Sequence, residues 1–123
     1  MKEVWEKCPN ASWMLWICRQ MKLELDQRAL RLFACYCVRR TPIGGKRVVW
    51  DLLTDERSRE AVRAAERFAN GKATDEDRRT AYAAYAAYAA YVAVDAVDAV
   101  ERKAKARLFQ ANRLRKVIPN PFA

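Results

Sequence analysis

From Ala73 to Ile118 the chain contains neither glycine nor proline, and Pro119 ends this stretch. No other feature restricts the fold as strongly, because glycine and proline are the residues that most often interrupt helices. A straight helix from Ala81 to Ile118 would be about 57 Å long, whereas a compact domain of this length has a radius of gyration of about 14 Å. We therefore expect this segment to bend, to break, or to pair with another chain.

A three-residue repeat fills the first half of this segment, in which Tyr82, Tyr85, Tyr88 and Tyr91 are followed in phase by valines. Three residues turn a helix by about 300°, so each ring is rotated by about 60° from the one before it. The four rings therefore cannot all face one core. In a helical projection Tyr82 lies on the apolar side, whereas Tyr88 and Tyr91 face away from it. The predicted buried side consists of Val94, Val97, Val100, Ala104, Leu108, Ala111 and Ile118.

The opposite side of the projected helix forms a basic stripe with aromatic residues set into it, and its cations fall within about 80° of arc. Positive charges suit phosphates and aromatic rings suit a nucleobase, so the stripe is a candidate binding face. A solvated helix face is the alternative, because Asp98 with Arg102 and Glu101 with Lys105 are ordinary i,i+4 pairs. The candidate ligand-binding residues of the stripe are Tyr88, Tyr91, Arg102, Lys105, Phe109, Arg113 and Lys116.

A second basic group, Arg39, Arg40, Lys46 and Arg47, flanks the turn TPIGG. Backbone N–H groups of such a turn can meet an anion together with these four candidate ligand-binding residues. The alternative interpretation is favourable charge at a helix C-terminus followed by exposed chain. The formal net charge of the chain is +9 and its pI is about 9.7, which favours an anionic partner in either case.

Capping signals predict three further helices. Asn10 or Ser12 caps a helix that reaches about Met21, Asp26 caps QRALRLFACYCVRR, and Thr54 caps a helix that Asn70-Gly71 closes. No segment shows the alternation of apolar and polar residues that is typical of strands. We predict an all-α fold, a single domain over residues 1–123, built as a compact bundle of about four to six helices. Its long Ala/Tyr-rich C-terminal helix is bent, broken or used for pairing.

The sequence offers little for catalysis or for a metal. The chain has no histidine, the commonest general base, and no phosphate-binding glycine loop. Its cysteines lack the paired C-x2-C spacing of zinc sites, so we expect buried, reduced thiols at Cys8, Cys18, Cys35 and Cys37. We expect neither an enzyme nor a bound cofactor or metal.

The tryptophans are expected in the core or at its edge, at Trp5, Trp13, Trp16 and Trp50. If Trp13 or Trp16 is exposed, it becomes a candidate anchor for a protein partner. The apolar run from Ala11 to Cys18 is too short to cross a bilayer and does not follow a basic leader. We therefore expect a cytoplasmic protein that does not bind membranes.

Three stretches of the sequence are similar to known proteins: WDLLTDERSREAVRAAERFANGKAT, the Ala/Tyr triplets and the ending QANRLRKVIPNPFA. They resemble uncharacterised alanine-rich helical proteins of planctomycete-type bacteria and phages. Some of those are similar to the immunity protein family of polymorphic toxin systems. The resemblance implies a binder used in bacterial or phage conflict, and it implies no site residues.

Two classes of function follow from these observations. In the first, the protein captures a nucleotide or nucleic acid on its basic aromatic face. In the second, it is an immunity-type inhibitor that binds the acidic surface of a toxin or effector protein. Both classes predict binding that weakens steeply with salt, and in both the Ala-rich helix can form a homo-oligomer.

Overall fold

The computed structural model describes residues 1–72, 74–75, 92–97 and 100–123. Over these residues the chain is mostly helical, as predicted for an all-α protein, with one small two-stranded sheet. Tyr82, Tyr88 and Tyr91 lie outside the described residues, as does much of the predicted C-terminal helix, so those predictions stay predictions. The elements are α1 (Lys2–Lys7), α2 (Ala11–Gln20), α3 (Gln27–Arg40), β1 (Pro42–Gly44), β2 (Arg47–Val48), a 3-10 turn (Val49–Leu52), α4 (Glu56–Ala69) and α5 (Val100–Val117).

Side-chain caps fix where the central helices begin. The Asn10 side chain accepts a hydrogen bond from the backbone N–H of Trp13 at 3.3 Å, and Asp26 accepts one from Ala29 at 3.1 Å. These are the caps expected from the sequence for α2 and α3. The cap predicted for α4 is wrong by one residue, because Asp55 and not Thr54 is the N-cap. A carboxylate serves better than a hydroxyl there because it also meets the positive end of the helix dipole.

The N-terminal helix α1 was not predicted, since six residues are too few to show a helical period. It is held by the other end of the chain. Trp5 is buried and meets Phe122 edge-on, with ring centroids 6.5 Å apart. The Arg115 guanidinium donates to the carbonyl oxygens of Trp5 and Cys8 at 2.9 and 2.8 Å. Two buried carbonyl groups thereby gain a charged donor, which ties α1 to α5.

The main core lies where α2, α3 and α5 meet. A smaller cluster joins α3 to α4, where Cys35 and Ala65 are buried against Val62 and Phe68. A third cluster places Val94, Val97 and Ala106 beside Ile43 of β1. The main core consists of Trp5, Ala11, Met14, Leu15, Cys18, Phe33, Cys37, Val49, Ala93, Ala111, Leu114 and Ile118.

The buried side predicted for the last helix is wrong in part. Val94, Val97, Ala111 and Ile118 are buried as expected, but Val100 is 82% exposed. Leu108 and Ala104 are exposed as well. The projection assumed one unbroken helix, whereas residues 92–95 are helical, Val97 is not, and α5 begins at Val100. The two pieces therefore do not share one helical phase.

A buried polar contact sets the phase of α5. The side-chain amide of Gln110 donates to the hydroxyl of Thr41 at 2.9 Å, and that hydroxyl donates to the carbonyl of Cys37 at 2.6 Å. Gln110 and Thr41 are almost completely buried. Burying these groups is favourable only when they are paired, so the contact fixes α5 against the end of α3.

The turn after α3 is a short β-hairpin. Proline and the paired glycines end the helix as predicted, and Gly44 and Gly45 adopt φ of 124° and 59°. The Arg102 side chain packs closely on the hairpin, because a Cβ atom on Gly44 would lie 3.1 Å from its Cζ. Glycine at this position thus lets the start of α5 approach the turn.

Candidate anion-binding cleft

A cleft of about 380 Å³ lies between α3 and α5, and we call it the Tyr36 cleft. Its walls combine cations with aromatic and aliphatic side chains. Because α3 and α5 are locked by Gln110 and Thr41, the cleft sits on rigid elements and not on loops. It is lined by Leu32, Phe33, Tyr36, Arg39, Arg40, Glu66, Arg113 and Val117.

Aromatic packing holds Arg113 at this cleft. Its Cζ lies 4.2 Å from the centroid of the Tyr36 ring. The same ring stacks on Phe109, with centroids 5.7 Å apart and an angle of 11° between the planes. The Nε atom of Arg113 is buried and has no hydrogen-bond partner in the described part of the chain. A guanidinium held in this way is already ordered before an anion arrives, which lowers the entropy lost on binding.

The second cation of the cleft is partly neutralised. Arg39 donates two hydrogen bonds to the carboxylate of Glu66, both at 2.8 Å, in a bidentate pair. Arg40, the last residue of α3, is exposed. The three arginines thus face one carboxylate, which leaves an excess of two positive charges among the described residues of the cleft. Such an excess in a concave site attracts anions.

The structure brings together two groups that the sequence analysis kept apart. Arg113 belongs to the predicted stripe and Arg39 and Arg40 to the predicted turn group, yet all three line the Tyr36 cleft. Phe109 is half-buried, and one face of its ring stacks on Tyr36. Its role as a ligand-binding residue stays a prediction.

The other predicted cations lie outside the cleft. Lys105 and Lys116 are exposed on α5, on the side that carries Arg113. Lys46 and Arg47 are exposed in the hairpin. Arg102 lies against Gly44, whose partner in the hairpin register is Arg47. Of the predicted cations, Arg39, Arg40 and Arg113 therefore line the cleft, whereas Arg102 packs on the hairpin.

Tyr36 is the functional candidate that sequence reasoning missed. The sequence did contain an indication of this role, because Tyr36 lies three residues before Arg39 and four before Arg40 on one helix. The pattern of aromatic residues set between cations indicated a binding face only in the C-terminal segment. The sequence of one helix does not show which other helix packs beside it and contributes the remaining residues of the binding face.

A second group of arginines lies next to the cleft, around Trp50. The Cζ atoms of Arg39, Arg59 and Arg63 lie 4.3, 5.0 and 5.9 Å from the Trp50 ring. We call these four residues the Trp50 cluster. The Nη2 atom of Arg59 also donates to the carbonyl oxygen of Trp50 at 3.3 Å.

Carboxylates neutralise much of the Trp50 cluster. Arg63 pairs with Glu56 and Glu60, and Arg39 pairs with Glu66. The hydrogen bond to Glu56 raises the pKa of Arg63. Glu66 is half-buried at its contact with Arg39. The Trp50 cluster therefore stabilises the junction of α3, the 3-10 turn and α4.

Cys18, Cys35 and Cys37 are buried as predicted, but the prediction of a buried thiol is wrong for Cys8, which is half-buried. Burial, reinforced by the charge of Glu66, raises the pKa of Cys35 from 9.0 to about 12, and burial also raises the pKa of Cys37. Both thiols are neutral at physiological pH and so are poor nucleophiles and ligands. Within the described ranges, no cluster of three or more metal-ligating side chains was found.

Two tryptophans depart from the prediction. Trp5 is buried and Trp50 is half-buried, but Trp13 and Trp16 are 63% and 59% exposed. The buried face of α2 is formed instead by Ala11, Met14, Leu15 and Cys18. The prediction that Trp13 and Trp16 belong to the core is therefore wrong.

No protein-family model matches the chain, and comparisons with curated proteins and with solved structures gave no significant match. The resemblance to immunity proteins therefore remains a prediction. Among the helices of the described residues, none is both long and apolar enough to cross a membrane.

Proposed function

We propose that the protein is a non-enzymatic binder of phosphate-bearing anions, a nucleotide or a nucleic acid, and that the Tyr36 cleft holds the phosphate. The observation that carries this proposal is the convergence of Arg39, Arg40 and Arg113 on one cleft in which Glu66 is the single carboxylate among the described lining residues. Guanidinium groups match phosphate oxygens in geometry and charge. Their like charges repel one another, and a bound anion would relieve that repulsion.

The basic side of α5 supports a ligand longer than a single phosphate. Arg102, Lys105, Arg113 and Lys116 share that side, and the first and third are separated by about 16 Å along the helix axis. Nucleic acid would follow this row with successive phosphates. The net charge of +9 favours such a partner at long range as well.

Stacking plays a different part from the one suggested by the sequence. The Tyr36 and Phe109 rings are engaged with each other and with Arg113. They position a cation, which leaves the phosphate as the main recognition element. We therefore expect binding with little base preference and a strong dependence on salt.

The direct test uses fluorescence anisotropy of a labelled single-stranded oligonucleotide of about 15 nucleotides. The double variant Arg40→Gln, Arg113→Gln should bind about tenfold more weakly, and its slope of log K against log salt should flatten by about 1.4. A matched control removes two charges elsewhere, at Lys2 and Arg57, and should leave most of the affinity intact. Equal losses in the two double variants would show only a general effect of net charge.

The alternative partner is an acidic protein of a conflict system, as the resemblance to immunity proteins implies. If neither the oligonucleotide nor competing ATP binds the wild-type protein, phosphate binding is contradicted and this class is favoured. Pairing of two chains through the Ala/Tyr-rich segment also stays a proposal, which sedimentation velocity would test. We expect the protein to act in the cytoplasm.

A further inference from the structure

A second cleft, of about 450 Å³, lies between α2 and α5, and we call it the Trp13 cleft. It shares no lining residue with the Tyr36 cleft. Its walls contain two indole rings and the ends of three cationic side chains. The residues that line it are Asn10, Ser12, Trp13, Leu15, Trp16, Arg19, Val94, Asp95, Lys103 and Arg107.

The apolar part of this cleft faces solvent. Trp13 and Trp16, three residues apart on α2, are each about 60% exposed. Val100 on α5 is 82% exposed and lies in line with Arg107, seven residues further along the helix. Large side chains grouped in this way on a surface mark an interaction site more often than isolated exposed ones do. Tryptophan in particular dominates the energetics of protein interfaces.

The charges of the Trp13 cleft select the kind of partner. Among the described residues that line the cleft, Arg19, Lys103 and Arg107 face one carboxylate, Asp95, which leaves an excess of two positive charges. A second copy of this chain would bring the same excess to the interface, and like charges disfavour that contact. An acidic partner would instead be attracted to it.

The exposed aliphatic groups favour protein over nucleic acid as that partner. Val100, which is 82% exposed, lies on the side of α5 that carries Arg107, and Leu15 and Val94 line the cleft itself. Aliphatic side chains offer no flat surface on which a base can stack, but they pack well against apolar side chains. We propose that the Trp13 cleft docks an acidic segment of a partner protein. Apolar side chains of the segment would pack on Trp13 and Trp16, while its carboxylates meet Arg19, Lys103 and Arg107.

The test uses a labelled peptide of about 12 residues in which Asp and Glu alternate with Leu and Phe. Saturable binding to the wild-type protein, with a change in tryptophan emission, is expected. Trp13→Ala with Trp16→Ala should weaken this binding at least tenfold, and Arg19→Gln with Arg107→Gln should reduce its dependence on salt. Because these side chains are exposed, the variants should keep the circular dichroism spectrum of the wild type.

Two controls separate the chemistry of the cleft from general attraction. A peptide with the same acidic residues but with serine in place of Leu and Phe should bind at least tenfold more weakly. Arg40→Gln with Arg113→Gln, in the Tyr36 cleft, should leave binding of the acidic apolar peptide unchanged, so the two proposals fail or succeed separately.

Three results would overturn the proposal. The first is absence of saturable binding of the acidic apolar peptide. The second is equal binding of the two acidic peptides, which would indicate charge alone. The third is weakened binding of a single-stranded oligonucleotide, but not of the peptide, in the tryptophan double variant. That outcome would assign the Trp13 cleft to nucleic acid.

Discussion

Two neighbouring regions pack arginine against an aromatic ring, yet they differ in how the charge is balanced. Around Trp50, Arg39 and Arg63 each pair with glutamate. At Tyr36, Arg113 stacks on the ring, and in the described part of the chain the cleft that it shares with Arg39 and Arg40 contains Glu66 as its one acid. Arginine therefore packs on an aromatic ring both in a site where most arginines are paired with carboxylates and in a site where most are not.

In both regions the aromatic ring orders the guanidinium group. The nearby carboxylates then determine whether that group pairs within the fold or attracts an external anion. A paired arginine on a ring cross-links elements of the fold. An arginine with few carboxylates nearby keeps its attraction for an external anion. Variants of the two regions should therefore affect different properties, stability for the Trp50 cluster and binding for the Tyr36 cleft.

The largest effect is expected for Trp50→Ala. Trp50 is half-buried and underlies three guanidinium groups, so its loss should lower the free energy of unfolding by about 2–4 kcal/mol. Urea denaturation measures this change. Oligonucleotide affinity of the folded variant should stay close to wild type. A change in stability below about 1 kcal/mol would show that the ring does not hold the Trp50 cluster together.

Gln110→Ala should affect both stability and binding. It leaves the buried Thr41 hydroxyl without its donor, which should lower stability by about 1–3 kcal/mol. It also loosens the contact that sets the phase of α5, so Arg113 should be held less well and anion binding should weaken. Denaturation and anisotropy on the same sample provide the measurements. Reduced stability with unchanged affinity would separate the cleft from this contact.

Glu66→Gln should tighten anion binding by roughly threefold, because Glu66 is the one carboxylate among the described residues that line the Tyr36 cleft. Glu60→Gln is the matched control, since Glu60 lies on the exposed face of α4 and pairs with Arg63 and Arg67. It should change oligonucleotide affinity less. Weaker binding in the Glu66 variant would mean that Arg39 needs its carboxylate to stay in place.

A separate effect concerns pH and the buried thiol of Cys35. Burial raises the pKa of Cys35, so the folded state keeps this proton more tightly than the unfolded chain does. The resulting stability is fully present below pH 9.0 and is lost as the pH rises toward about 12. Thermal melts across this range should show a decline that is smaller in Cys35→Ala. An identical decline in that variant would assign the effect to other groups.

The sequence was sufficient for the local features of the fold. Caps at Asn10 and Asp26 and the glycine after α4 predicted three helices, because capping depends on residues close together in the chain. The phase of α5 could not be predicted, because it is set by Gln110 meeting Thr41, 69 positions away in the chain. The helical phase of residues 92–95 does not carry over to α5, because Val97 is not helical and α5 begins at Val100.

The candidate site was predicted only as two separate halves. Each half could be recognised from its basic residues, but their meeting at one cleft depends on the packing of α3 on α5. Tyr36 was missed because its role depends on Phe109 and Arg113, which lie on the other helix. The exposure of Trp13 and Trp16 could not be predicted either, because the elements that pack beside α2 determine which of its side chains are buried.

The most direct measurement of the difference between the two regions compares Arg113 with Arg59. Each has a buried Nε atom that lacks a hydrogen-bond partner in the described residues, and each lies over an aromatic ring. Their Nε–H signals in a ¹⁵N–¹H spectrum, assigned with Arg113→Lys and Arg59→Lys, can be followed during titration with the oligonucleotide. We predict that the Arg113 signal shifts to saturation while that of Arg59 stays in place. A shift of Arg59 without a shift of Arg113, or no shift of either, would contradict the assignment of anion binding to the Tyr36 cleft.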